Sequence, residues 1–260
     1  FYLDFHCSKH GLNLMLKVEA LQKSFGEETV LSQLSFSLPS ESVMSILGRS
    51  GSGKTTLLRI LAGLERASSG QIFLENQEIS HWTPQERNIV YLYQEPLLFP
   101  HLNVFENLAF GLRIRKNDPA FIRDHVHQML TDLGLEGQDK KMPHQISGGQ
   151  RQRVNFGRAI IIEPRVLLLD EPFGALDVET RHKMQELFQE LKVRHKMTAI
   201  FVTHDLKEAM LMGQQLAYMQ QGYLKIYSDR SEFLTDPSTE AGREIQFWEK
   251  MREEAQKKRD

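Results

Sequence analysis

The chain holds a single cysteine, Cys7, among its 260 residues. No internal disulfide can form, and the composition fits a reducing compartment. Nowhere does an apolar run approach the ~18 residues that a membrane-spanning helix needs. A basic excess is also missing: 32 Lys and Arg stand against 34 Asp and Glu, a net charge of −2. That balance excludes the electrostatic footprint of a nucleic-acid binder, so no nucleic acid is expected among the partners. Internal repeats, low-complexity tracts and long heptad runs are absent, which excludes solenoids and coiled coils. The ten histidines are scattered. His125 and His127 lie two apart on a predicted helix and face different ways, which argues against a metal pair. What is present is ordinary for a soluble globular protein, 40% apolar and 25% charged. The length allows one large or two small domains.

Residues 1–14 read differently from the rest. They lack both the basic start and the apolar run of a signal peptide. They are expected to be a disordered extension, or sequence upstream of a start at Met15; the mass of the native N-terminus would decide. Strands are predicted at 14–20, 34–38, 43–47, 71–75 and 89–93. From 95 to 162 the pattern turns helical and reads as an inserted subdomain. Within it Pro119 opens a helix, Phe121, Ile122, Val126, Met129, Leu130 and Leu133 recur at 3.6 spacing, and Gly134 stops it. Val166–Leu169 is a continuous apolar run, as expected of a strand covered on both faces. A helix at 178–195, a strand at 198–202, a helix at 206–212 and strands at 215–220 and 223–227 follow. Strand–helix alternation implies a mostly parallel α/β sheet. A charged helical tail is expected over 238–260, frayed from Gln246 onward, with Phe247 and Trp248 docking it.

Between strand 43–47 and a helix at 55–61 lies Gly48-Arg49-Ser50-Gly51-Ser52-Gly53-Lys54-Thr55. It fits G-x-x-x-x-G-K-[ST] in the strand–loop–helix context that pattern requires. Glycines let backbone N–H groups turn inward around an anion, and the helix start adds a partial positive charge. Lys54 then reaches the β- and γ-phosphates of a nucleoside triphosphate. The Thr55 hydroxyl completes a Mg²⁺ shell, and Thr56 follows at the helix start. Further along, Val166-Leu167-Leu168-Leu169-Asp170-Glu171 has the form of a strand ending in two carboxylates with separate tasks. Asp170 sits where Mg²⁺ is expected, and Glu171 can accept a proton from an attacking water.

Ile146-Ser147-Gly148-Gly149-Gln150 supplies a second helix start with bare N–H groups, hence a second anion site on the same chain. It resembles the LSGGQ signature of ATP-binding-cassette (ABC) ATPases, with Ile146 in place of Leu at a packing position. The resemblance extends, in family order, from Met15 to about Pro237. It makes Gln94 the Q-loop glutamine, which reaches Mg²⁺ and the lytic water and couples to a membrane subunit. It makes Gly174-Ala175-Leu176-Asp177 the D-loop, His204 the switch histidine at the γ-phosphate, and Phe25 the aromatic that stacks on adenine. Such a stack is worth roughly 0.5–1.5 kcal/mol beyond burial.

The implied fold is a P-loop NTPase with a mostly parallel central sheet, an antiparallel β portion and an inserted α-helical subdomain. The implied activity is ATP hydrolysis with Mg²⁺, by two cassettes paired head to tail so that each ATP lies between one P-loop and the other's signature. The second cassette is another copy or a homologue. Gln94-Glu95-Pro96-Leu97-Leu98-Phe99-Pro100-His101-Leu102 and Glu171-Pro172-Phe173-Gly174 look like importer cassettes for iron, polyamine, sulfate or molybdate. They imply transmembrane permease subunits, an extracytoplasmic substrate-binding protein, and a peripheral place on the cytoplasmic face of the membrane. Alternatives are a soluble ABC ATPase acting outside transport, an exporter subunit with a separate permease, and a non-enzymatic nucleotide sensor. The last would be expected to lack Glu171 or His204. Two departures stand out. Such cassettes often carry a regulatory β-domain after the core, for which 260 residues leave no room. And Asn155-Phe156-Gly157 replaces the usual small apolar residues, although glycine inside a helix costs about 0.5–1 kcal/mol relative to alanine.

Overall fold

A computed structural model describes residues 13–257. The predicted extension therefore lies almost wholly outside the described residues, and Leu14 is already the first residue of a strand. Strands β1 (Leu14–Phe25) and β2 (Glu28–Pro39) form a hairpin of twelve-residue arms. Its tight turn uses Gly26 at φ +59°, a left-handed conformation that glycine adopts without steric cost. Both arms are longer than the predicted 14–20 and 34–38. Shifts of register between Val18 and Ser24 interrupt the alternation that sequence reading relies on.

β3 (Val43–Leu47) leads into α1 (Lys54–Leu61), followed by β4 (Ser69–Leu74), β5 (Gln77–Glu78), the short α2 (Pro84–Arg87) and β6 (Ile89–Leu92). The helical insertion is α3 (Val104–Ile114), α4 (Pro119–Asp132), a 3₁₀ turn at Pro143–Gln145 and α5 (Gly148–Ile160). Then come β7 (Val166–Asp170), α6 (Val178–Arg194), β8 (Ala199–Thr203), α7 (Leu206–Met212), β9 (Gln215–Gln220), β10 (Tyr223–Tyr227), α8 (Arg230–Thr235) and α9 (Glu240–Lys257).

The strands sort into two sheets. A four-stranded antiparallel sheet runs β2-β1-β4-β5, and a six-stranded sheet runs β10-β9-β3-β8-β7-β6. In the latter β10 alone is antiparallel, at the edge. Every residue of β3 and β8 is buried, because layers cover both faces of a parallel sheet. On one face Leu57 and Leu61 of α1 and Leu16, Leu31 and Leu34 of the hairpin pack against Ile46, Leu168 and Val202. On the other, Leu108, Val126, Met129 and Phe156 of the helical insertion meet Phe173, Phe188 and Phe201. A smaller cluster of Leu47, Ala209, Tyr218, Tyr227 and Phe233 closes the β9–β10 end. Among the described residues no helix is long and apolar enough to cross a membrane.

Gly157 now has a physical account. A Cβ there would lie 2.5 Å from Leu133 Cδ1 and 2.9 Å from Leu108 Cδ2, both in the core. Glycine lets α5 approach its helical neighbours, at the cost in helix propensity noted above. Gly157→Val would recover part of that propensity but overpack a filled core by more than a methyl group. Overpacking wins: the variant is expected to lose about 1–3 kcal/mol of stability, read from urea unfolding.

The C-terminal helix α9 begins at Glu240, within the tail expected over 238–260, and is helical through Gln246 to Lys257. Phe247 and Trp248 do not dock it; they pack edge to face on each other and are 56% and 61% exposed.

Candidate nucleotide-binding and hydrolysis site

Strand order builds the site. Neighbouring β3, β8, β7 and β6 all point the same way. Their C-terminal ends place the 48–55 loop, His204, Asp170 with Glu171, and Gln94 in a row along one sheet edge. That edge is where parallel α/β sheets bind ligands.

The 48–55 loop is pinned from outside. A Cβ at Gly48 would stand 2.3 Å from the Met219 carbonyl oxygen. Gly53, at φ +103°, would meet Leu31 Cδ2 at 2.8 Å and the Val30 carbonyl at 2.9 Å. Any side chain at either position forces backbone to move. Gly53 is also the N-cap of α1, with no side-chain cap, so the first N–H groups of that helix remain available to an anion. The Ser52 hydroxyl is buried without a hydrogen-bond partner. Lys54 is buried and donates from Nζ to the carbonyls of Gly48 (2.7 Å) and Arg49 (2.8 Å). Burial lowers its pKa on balance, against the opposing charges of Glu171 and Asp170. Uncapped N–H groups, an unpartnered hydroxyl and a buried cation together form a cradle that a polyphosphate fits. Ser50, Gly51 and Thr55 stand exposed around it, and Thr56 is half-buried. The oxygen donors Thr55, Gln94 and Asp170 offer one carboxylate to be completed by phosphate oxygens, the donor set that suits Mg²⁺.

Glu171 adopts φ +46°, and its N–H donates to the Val202 carbonyl at 3.0 Å. A left-handed non-glycine residue costs on the order of 1–3 kcal/mol, and such residues cluster at functional sites. Here the turn swings the carboxylate toward β8, where Oε2 lies 2.9 Å from His204 Nδ1. Gln94 approaches the loop after Glu171, its Nε2 only 2.9 Å from where a Cβ on Gly174 would be. Buried Gln152 of α5 donates from Nε2 to the Pro172 carbonyl at 2.9 Å. That bond ties the signature helix to the same loop. Buried Glu208 accepts from Thr203 Oγ1 at 2.8 Å, just before His204, and burial pushes its pKa up.

Other predicted residues stand apart from this edge. Phe25 is at the hairpin tip, 49% exposed, with Lys23 Nζ 4.5 Å from its ring centroid. Ser147 caps α5 reciprocally with Gln150: Gln150 N donates to Ser147 Oγ at 3.2 Å, and Ser147 N to Gln150 Oε1 at 2.9 Å. Ser147, Gly148, Gly149 and Gln150 line a cavity of about 610 Å³ with Asp177, Thr180 and Lys183. No residue of the 48–55 loop, nor Asp170, Glu171 or His204, reaches it. Asp177 caps α6 by accepting from Thr180 N, and Ala175 and Leu176 lie in the preceding turn.

Two residues at the site went unnoticed in the sequence. Tyr91 donates its hydroxyl to Asp170 Oδ2 at 2.5 Å, and burial together with that carboxylate raises its pKa. Glu240, at the start of α9, accepts from Arg49 Nε. Both read as an ordinary strand aromatic and an ordinary surface acid, and no local pattern marks either.

A family model described as ABC transporter matches residues 31–174. The sulfate/thiosulfate import ATP-binding protein CysA of Synechocystis is 40% identical over 222 residues, which cover 85% of this chain and 62% of that protein. The chain thus spans a little under two thirds of that relative's length. A dimeric ATP-binding cassette in a post-hydrolysis state, bound to ADP and Pi, superposes with a TM-score of 0.70 at 30% identity, covering 81% of this chain and 97% of the other. A component of an ABC transporter complex from Clostridium perfringens gives 0.79 at 28% identity, covering 86% and 92%.

Proposed function

The chain belongs to the ABC transporter family of ATP-binding cassettes, and on that premise we propose that it is the ATP-hydrolysing subunit of a membrane importer, working as a head-to-tail dimer. One observation carries the reading. The chain has two glycine-rich helix starts. The one at Gly53 is uncapped, and at Ser147 the reciprocal cap with Gln150 leaves the Gly148 and Gly149 N–H groups for an anion. The second lines a cavity that no residue of the first enters. Two half-sites on one chain become whole sites only against a second cassette.

In this mechanism Lys54 and the N–H groups of the P-loop bind the phosphates. Thr55, Gln94 and Asp170 would hold a Mg²⁺ ion, which would supply charge neutralisation across the phosphates. Glu171 takes the proton of the attacking water. His204 fixes the Glu171 carboxylate from one side, and the partner's signature residues close over the γ-phosphate. Fixed donors of this kind are each worth on the order of 10²–10³ in rate. Phe25 serves the adenine.

Coupling to a permease has a candidate surface. Tyr93, Leu97, Phe99 and Phe110 line an apolar groove of about 310 Å³ beside Gln94. A permease segment seated there feels any movement of the Gln94 loop. Likeness to a sulfate/thiosulfate import protein supports import over export. A peripheral seat on the cytoplasmic face, with a substrate-binding protein on the other side, follows from that reading. Cargo touches the permease rather than this chain.

The test is the solution mass of the Glu171→Gln chain by light scattering, with and without Mg-ATP. A monomer that becomes a dimer only with nucleotide is the expected result. A chain that stays monomeric at saturating nucleotide, both free and in complex with its permease, removes the shared-site reading.

A further inference from the structure

β6 and β7 run in parallel with Tyr91 opposite Leu168. Asp170 lies two residues farther along β7, so the long Tyr91 side chain leans along the strand direction to reach it. Its hydroxyl donates to Oδ2 of Asp170 at 2.5 Å, the distance of a hydrogen bond to an ionised oxygen. The ring itself is held edge to face by Tyr93, with centroids 4.5 Å apart. Among the described residues Asp170 Oδ2 has no other side-chain hydrogen-bond donor.

We propose that Tyr91 is a positioning residue for the metal site. It takes up Oδ2 of Asp170, sets the plane of the carboxylate, and so leaves Oδ1 as the oxygen that faces Mg²⁺. A free Asp side chain rotates about its last bond through a broad, roughly two-fold well. A donor anchored on the neighbouring strand removes that freedom before the metal arrives. Hydrogen-bonded partners of metal ligands act in this way, and their loss typically costs 10–100-fold in metal affinity. The competing explanation is that any half-buried tyrosine hydroxyl needs an acceptor and Asp170 is the nearest. The two differ in what they predict for the metal. The proposal rests on the nucleotide-binding reading above.

Tyr91→Phe keeps the ring and its contact with Tyr93 while removing the donor. Binding of a fluorescent ATP analogue is measured in the Glu171→Gln background, which prevents turnover, as Mg²⁺ is titrated from an EDTA-treated sample. The half-saturating Mg²⁺ concentration is expected to rise about tenfold, with nucleotide affinity in EDTA unchanged. In an Asp170→Asn background the same substitution should add nothing, because the group it orients is gone. A rise smaller than about threefold overturns the proposal. So does a loss of affinity that is equal with and without metal, since that marks a purely structural role. If binding to the parent chain does not depend on Mg²⁺ at all, the metal-site reading falls first and this inference with it.

Discussion

Steady-state ATP hydrolysis by Glu171→Gln is expected to fall by about 10²–10⁴-fold, the usual contribution of a positioned general base. ATP affinity should stay close to that of the parent chain. The prediction follows from which atoms change. Lys54, the P-loop N–H groups and the Asp170–Tyr91 pair are untouched. Gln matches Glu in size and tolerates the same left-handed backbone no worse, so the turn that carries residue 171 should hold. With its Nδ1 protonated, His204 donates to Oε2 of Glu171 and leaves Oε1 to receive the proton of water. An amide oxygen still accepts from His204, but the other atom is then NH₂, which has no basicity to offer. Phosphate release is followed together with binding of a fluorescent nucleotide. Turnover within about tenfold of the parent chain would remove Glu171 as the base. Weak binding instead would mean that the carboxylate holds the phosphate cradle together.

How far the site could be read beforehand depended on where each constraint lies. The P-loop is contiguous, so its strand, glycines, lysine and helix stand in a single stretch, and spacing alone exposed them. β7 and β8 were legible for the same local reason, as apolar runs that need cover on both faces. Other features exist only between segments far apart in the chain. Gly157 is glycine because of Leu133 and Leu108. Tyr91 matters because Asp170 is on the next strand. Arg49 finds Glu240 across 191 positions of sequence. The hairpin was underestimated because Gln22, Lys23, Ser24, Glu28 and Thr29 look like loop residues, although they continue two strands whose outer face meets water. Phe247 and Trp248 show the opposite: large aromatics in a charged tail suggest anchors by their apolar area, yet nothing among the described residues covers them.

Mixing two inactive variants should restore activity. Lys54→Ala removes the buried ammonium from the P-loop, and Ser147→Arg fills the signature cavity with a long cation. Each alone should be nearly inactive, because a symmetric pair of either variant has no intact composite site. A mixed pair has one site with both defects and one with neither. Random pairing of equal amounts makes half the dimers mixed, and each has one intact site of two, so about a quarter of parent activity is expected if the sites act independently. Both chains should fold. Ser147→Arg costs the α5 cap about 1 kcal/mol, but Val154, Phe156, Ala159 and Ile160 still hold that helix in the core. Lys54→Ala leaves two carbonyls short of a donor, while the close contacts of Gly48 and Gly53 with β9 and β2 keep the loop in place. A mixture no more active than the sum of its parts, with both variants shown to dimerise, would place the P-loop and signature within one chain's own catalytic cycle. Recovery above that sum has only one geometric source, a P-loop from one copy facing Ser147 of the other.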